Sequence, residues 1–107
     1  MDCYSLTRKQ FEDRCPFPFK IVQDHAALNL EAAHRIIDTI RRNNELGRDT
    51  SLILPVGPLL YEPLADLCNQ ERLPLDRLTA FMMDEYLQPD LTPIPESHPL
   101  SFKKFMR

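Results

Sequence analysis

Apolar residues recur at helical spacing through the middle of the chain: Leu30, Ala33, Ile36, Ile37 and Ile40, with His34, Arg35, Asp38, Arg41 and Arg42 between them. A stripe of that period predicts an amphipathic helix covering a sheet with one face. Asp24 or Asn29 is placed to cap its start, and Gly47 to stop it. Ser51 to Val56 is continuously apolar at its centre and bounded by turn residues, the pattern of a buried strand. Gly57-Pro58 breaks it. Leu60, Leu64 and Leu67 then share one face of a helix predicted over Leu60–Arg72, where Pro63 fits only in the first turn. Another strand is centred on Leu78-Thr79-Ala80-Phe81-Met82-Met83. Upstream, Phe19-Lys20-Ile21-Val22-Gln23 is β-branched at its centre and reads as a first strand. Before it, Ser5 to Cys15 is polar and predicts a short helix capped by Ser5 or Thr7 and ended by the prolines of Cys15-Pro16-Phe17-Pro18-Phe19. A loop with Pro89, Pro93, Pro95 and Pro99 leads to a helix start within Leu100–Arg107.

The predicted order is strand, helix, strand, helix, strand, then loop and helix. That alternation argues for an α/β domain with a parallel sheet and right-handed crossovers. Residues 1–18 form an N-terminal extension and residues 19–107 the domain. A three-stranded parallel sheet leaves an exposed edge that must be covered or paired, which makes a homo-oligomer one expected outcome.

The 107 residues, 43% apolar and 27% charged, suit one small globular domain. A net charge of -3 with dispersed basic residues gives no footprint for nucleic acid and no polybasic membrane patch. Cys3, Cys15 and Cys68 are odd in number and widely spaced, without a CxxC pair. They read as reduced thiols of a cytoplasmic protein rather than a zinc site or a disulfide framework. Met1–Gln10 lacks the apolar core of a signal peptide, and no apolar run is long enough to span a membrane.

In open parallel sheets, ligands bind beyond the carboxyl ends of the strands. One such end is Pro55-Val56-Gly57-Pro58. A glycine there either makes a tight turn or lets backbone approach a ligand, with a helix N-terminus behind it. The other is Met83-Asp84-Glu85-Tyr86. Two adjacent carboxylates after an apolar strand are costly unless solvated, paired or used. Successive residues of extended chain point to opposite sides, so one of the two can face a substrate while the other makes a structural hydrogen bond. Ser97-His98-Pro99-Leu100-Ser101-Phe102 adds a loop histidine and a serine that also reads as a helix cap. His25, His34 and His98 are too scattered for a metal site, and no cofactor motif is present.

Phe81-Met82-Met83-Asp84-Glu85-Tyr86 is similar to the F-x-M-D-E-Y of glucosamine-6-phosphate deaminases. His98-Pro99-Leu100-Ser101-Phe102 is similar to their H-P-x-S-[YF], and Leu52 to Gly57 to their L-x-L-P-x-G strand end. Over roughly Phe19–Arg107 the chain resembles the N-terminal portion of that family, which is grouped with 6-phosphogluconolactonases and ribose-5-phosphate isomerases. The D-E-Y form favours the deaminase branch over the lactonase branch, which usually has D-E-R. The resemblance implies a partial Rossmann-like three-layer α/β fold and a sugar-phosphate substrate without a cofactor. It further implies that Asp84 takes a proton from the sugar carbon next to the carbonyl, allowing an aldose–ketose shift and loss of the amino group as ammonia. Glu85, Tyr86, His98, Ser101 and Gly57 fall on its substrate side.

Two departures change the expectation. Gly57-Pro58-Leu59-Leu60 stands where the family has G-[ST]-T-P, so phosphate binding is weakened, altered or lost. The family's later G-x-G-x-[DN]-G-H segment has no counterpart in a chain with only Gly47 and Gly57. The expectation is therefore an incomplete deaminase-like enzyme, inactive as this chain alone. The alternatives are a non-catalytic module binding a sugar phosphate or a protein partner, and a 6-phosphogluconolactonase-like hydrolase.

Overall fold

A computed structural model describes residues 3–57 and 59–107; Pro58 and the Cys3 side chain, on which parts of the phosphate-loop and thiol readings fall, lie outside them. After a 3-10 turn at Cys3–Ser5, the elements are α1 (Arg8–Arg14), α2 (His25–Glu45), β1 (Thr50–Leu54), α3 (Glu62–Glu71), β2 (Leu78–Met82) and α4 (Phe102–Phe105). The architecture is mixed helix and strand, with a small two-stranded parallel sheet.

Local chemistry sets most of the boundaries. Thr7 forms a reciprocal capping box with Gln10 at the start of α1, and Cys15, just before Pro16, ends it. Asp24 caps α2 by accepting from the Ala27 N–H at 2.8 Å. At its other end Gly47 takes φ +65°, the left-handed conformation that closes a helix without a Cβ penalty. The helix after β1 begins at Glu62, two residues later than the leucine spacing implies, because Pro63 must sit in its first turn. Arg72, at φ 50°, stops it.

β1 and β2 pair in parallel, Thr50 with Leu78 through Leu54 with Met82. The strand expected at Phe19–Gln23 does not form. Its side chains are drawn to helices instead. The Phe19 ring packs on Phe11 of α1 with centroids 5.0 Å apart, and Lys20 pairs with Glu31 of α2 at 2.7 Å. Pro16 and Pro18, just before the segment, could not donate to a ladder extended upstream of it.

α2 packs on α3 and touches β1. Arg41 bridges the helices by pairing with Asp38 on its own helix and Glu71 on α3. Among the described residues, the buried apolar ones are Ala33, Ile37 and Ile40, all on α2. That is a small core. The radius of gyration is 17.7 Å, against about 13 Å for a compact domain of this length. Strand alternation explains the shortfall. Thr50, Leu52 and Leu54 turn inward with Leu78 and Met82, whereas Ile53 and its register partner Phe81 remain 66% and 54% exposed on the opposite face. α2 covers the β1 part of one face, where Ala80 of β2 stays exposed, and the opposite face is open.

Candidate functional site

Parallel pairing brings the carboxyl ends of β1 and β2 side by side. Beyond the last register pair, the Met83 N–H donates to the Leu54 carbonyl at 3.0 Å, so the two chains leave the sheet together. Pro55-Val56-Gly57 and Met83-Asp84-Glu85 are thereby neighbours at one edge, as a ligand site in a parallel sheet requires.

On the β1 side, Gly57 has φ +57°, and a Cβ built there would meet nothing within 4 Å. The turn needs glycine for its backbone rather than for space. Two side chains fix the rest of this loop. Tyr61 donates its hydroxyl to the Pro55 carbonyl at 2.7 Å, and burial raises its pKa. Asn29 of α2 is 5% exposed and accepts from the Leu60 N–H at 3.1 Å. Asn29 thus ties the loop to the covering helix instead of capping that helix. Its signal lies in the sequence: Asn29 precedes Ala33, Ile37 and Ile40 on the buried stripe, and a polar residue on such a stripe needs a partner. A cleft of about 330 Å³ lies between the first turn of α3 and the chain after α4, lined in part by Leu60, Tyr61, Phe105, Met106 and Arg107.

On the β2 side the two carboxylates diverge. Asp84 is exposed, and its carboxylate has no hydrogen-bond or ion-pair partner among the described residues. Glu85 is half-buried and fully engaged. Its Oε1 accepts from the N–H groups of Tyr86 at 2.9 Å and Phe102 at 3.1 Å; its Oε2 accepts from the Ser101 hydroxyl and the Lys103 N–H, each at 3.1 Å. Desolvation pushes its pKa up, but the Phe102, Lys103 and Tyr86 N–H groups and the Ser101 hydroxyl outweigh it. The carboxyl is held down at about 2 instead of 4.5.

No protein-family model, no curated protein and no solved structure matches this chain. The site is therefore read from its own geometry.

Ser101 is 3% exposed; its hydroxyl donates to Glu85 and accepts from the Lys104 N–H as the cap of α4. His98 is exposed and shapes a turn. Its Nδ1 accepts from the Leu100 N–H at 3.1 Å, which leaves Nε2 to carry the ring proton. Tyr86 is half exposed, with its ring 5.1 Å from that of Phe102. Asp84, Glu85, Tyr86 and Ser101 therefore share one edge; the Gly57 turn follows the end of the adjacent strand, β1. No group of three or more His, Cys, Asp or Glu residues among those described is placed to hold a metal, and no described helix is long and apolar enough to cross a membrane. Cys15 and Cys68 are free thiols, and burial raises the pKa of Cys68.

Proposed function

We propose that this edge binds an amino-sugar phosphate, that the two parallel strands belong to a Rossmann-like three-layer arrangement, and that Asp84 is the base of an aldose–ketose isomerase/deaminase reaction. The observation that carries the reading is the contrast between neighbours at the end of β2: Glu85 has all its acceptor positions filled, while Asp84 presents a carboxylate without a partner among the described residues. A base must be within reach of the proton it takes and must not be committed elsewhere. Asp84 meets the second condition, and its place at the strand edge allows the first. In this reaction the Asp84 carboxylate removes the proton from the carbon beside the carbonyl and returns it to the neighbouring carbon, and the amino group leaves as ammonia after addition of water.

The proton-transfer half-reaction tests this with the fewest demands on the rest of a site. The chain is titrated with glucosamine 6-phosphate by calorimetry, and loss of the sugar C2 proton signal in deuterated water is followed by NMR. Binding heat with C2 exchange but without release of ammonia is expected, as for a chain that carries the base but lacks the family's glycine-rich segment and is inactive as a deaminase. Asp84→Asn retains the heat and abolishes the exchange. Binding without exchange removes Asp84 from the chemistry and leaves a sugar-phosphate-binding module. Absence of both overturns the site.

A second reading, a non-catalytic interaction module, draws support from a different observation: the exposed Ile53–Phe81 pair on the uncovered sheet face. Contiguous apolar surface of that kind marks contact surfaces on soluble proteins.

A further inference from the structure

Three backbone N–H groups at the start of α4, those of Phe102, Lys103 and Lys104, have no carbonyl one turn back within the helix to accept from them. Ser101, the cap, takes only the Lys104 N–H, at 3.3 Å. Glu85 takes the other two from 17 and 18 residues earlier in the chain, and its Oε2 also receives the Ser101 hydroxyl. With the Tyr86 N–H, the carboxylate meets four donors, about the number of acceptor directions it has. Such bonds to an ionised acceptor are among the stronger ones in proteins.

The chain between these partners is an excursion that starts and ends at Glu85. Its first part closes on itself through the Leu87–Pro93 bridge, the Gln88 N–H to the Thr92 carbonyl at 2.8 Å and the Ile94 N–H to the Tyr86 carbonyl at 3.0 Å. Its second part is a tight turn, with the His98 N–H donating to the Pro95 carbonyl at 2.8 Å and the Ser101 N–H to the His98 carbonyl at 3.0 Å. The Tyr86 and Phe102 rings lie against each other at the same neck. Glu85 therefore joins the end of β2 to the start of α4.

Asp84 sits between two pinned neighbours. Met83 is held to β1 through the Leu54 carbonyl, and Glu85 is held to α4. The Asp84 side chain has no hydrogen-bond or ion-pair partner among the described residues. We propose that Glu85 is a positioning residue: it fixes the backbone on the far side of Asp84 and thereby holds the Asp84 carboxylate at the substrate edge without touching substrate itself. This rests on the reading of Asp84 as the base. It assigns Glu85 a role distinct from the substrate contact implied by the sequence resemblance. Displacement of a reacting group by about 1 Å can cost on the order of a hundredfold in rate, so the clamp acts on turnover more than on binding.

The experiment compares the full chain with Glu85→Gln, Glu85→Asp and Asp84→Asn. It records amide hydrogen exchange at Phe102 and Lys103, affinity for glucosamine 6-phosphate, and the rate of C2 proton exchange in deuterated water. Glutamine keeps the shape but turns an NH2 group toward donors it cannot accept from; aspartate keeps the charge and is one methylene short. Glu85→Gln is expected to unprotect the Phe102 and Lys103 amides, slow C2 exchange roughly ten- to hundredfold and leave affinity nearly unchanged. Glu85→Asp falls between it and the parent, and carries the test if Glu85→Gln does not fold. Unprotected amides with C2 exchange at the parent rate overturn the positioning role and leave Glu85 a helix cap only. A fall in affinity matching the fall in rate overturns it in favour of substrate contact. If the parent and Asp84→Asn both fail to exchange the C2 proton, it is the Asp84 reading that has failed, and the positioning role falls with it. That case is recognised by amides that still respond to Glu85→Gln.

Discussion

Truncating Ile37 and Ile53 to alanine separates the covered side of the sheet from its open side. Ile37 is 0% exposed on the inner face of α2. Its truncation loses the transfer free energy of the removed carbons and leaves a cavity, at a cost of about 2–5 kcal/mol. Ile53 is 66% exposed, so only about a third of it is out of water. Full burial of such a side chain is worth roughly 1.5–3 kcal/mol, which makes Ile53→Ala cost about 0.5–1 kcal/mol. Ordinary per-residue values give a chain of this length a total stability on the order of 5–15 kcal/mol, and a core of three buried apolar residues sets it at the low end. Ile37→Ala therefore removes a large share of the stability, and Ile53→Ala little of it. The assay is urea unfolding followed by far-UV circular dichroism, at a low and a high protein concentration. Equal losses for the two variants would refute the assignment of an open face. So would an Ile53→Ala loss that appears only at the high concentration, which would put a second copy of the chain on that face.

The Glu85 clamp has a defined pH signature. The carboxyl is held at about 2 when folded, below its ordinary 4.5, so its contribution to stability is complete above about pH 4.5 and disappears as pH falls through about 2. Acid titration of the Phe102 and Lys103 amide signals should show this step, and Glu85→Gln should abolish it. Asn29→Ala leaves the Leu60 N–H without its side-chain acceptor; a cost of about 1–3 kcal/mol is expected in thermal unfolding, with faster exchange of the Leu60 amide.

Where side chains interact with near neighbours, the sequence was readable. The stripe of α2 from Ala33 to Ile40, its Asp24 cap and its Gly47 stop are all local features and are present in the structure; Leu30, expected one turn earlier on that stripe, is instead 45% exposed, and Asn29 takes the buried position. The two apolar runs became β1 and β2, which pair with each other in parallel. Phe19–Gln23 is also β-branched at its centre but joins neither strand. Its side chains found Phe11 and Glu31, and nothing in the segment distinguishes those partners from a sheet neighbour. At the candidate site, alternation along extended chain indicated that Asp84 and Glu85 would part company. Which of them would be engaged depended on donors 16 to 18 residues away, beyond any local pattern. Asn29 was legible only as a polar residue on an apolar stripe; its partner is 31 residues distant.

Because Glu85 closes the 86–100 excursion at its neck, the length of that excursion is uncoupled from the strand end. Lengthening a closed loop costs little, about 0.6 kcal/mol for each doubling. Its tip is already suited to change: Leu91 stands 76% exposed at φ 67°, next to an Asp90 carboxylate that only braces Thr92. New residues can be spliced in at Asp90–Leu91 while the neck bonds stay as they are. The chain thus has a port for acquiring contacts to different ligands that leaves the neighbouring aspartate where it is.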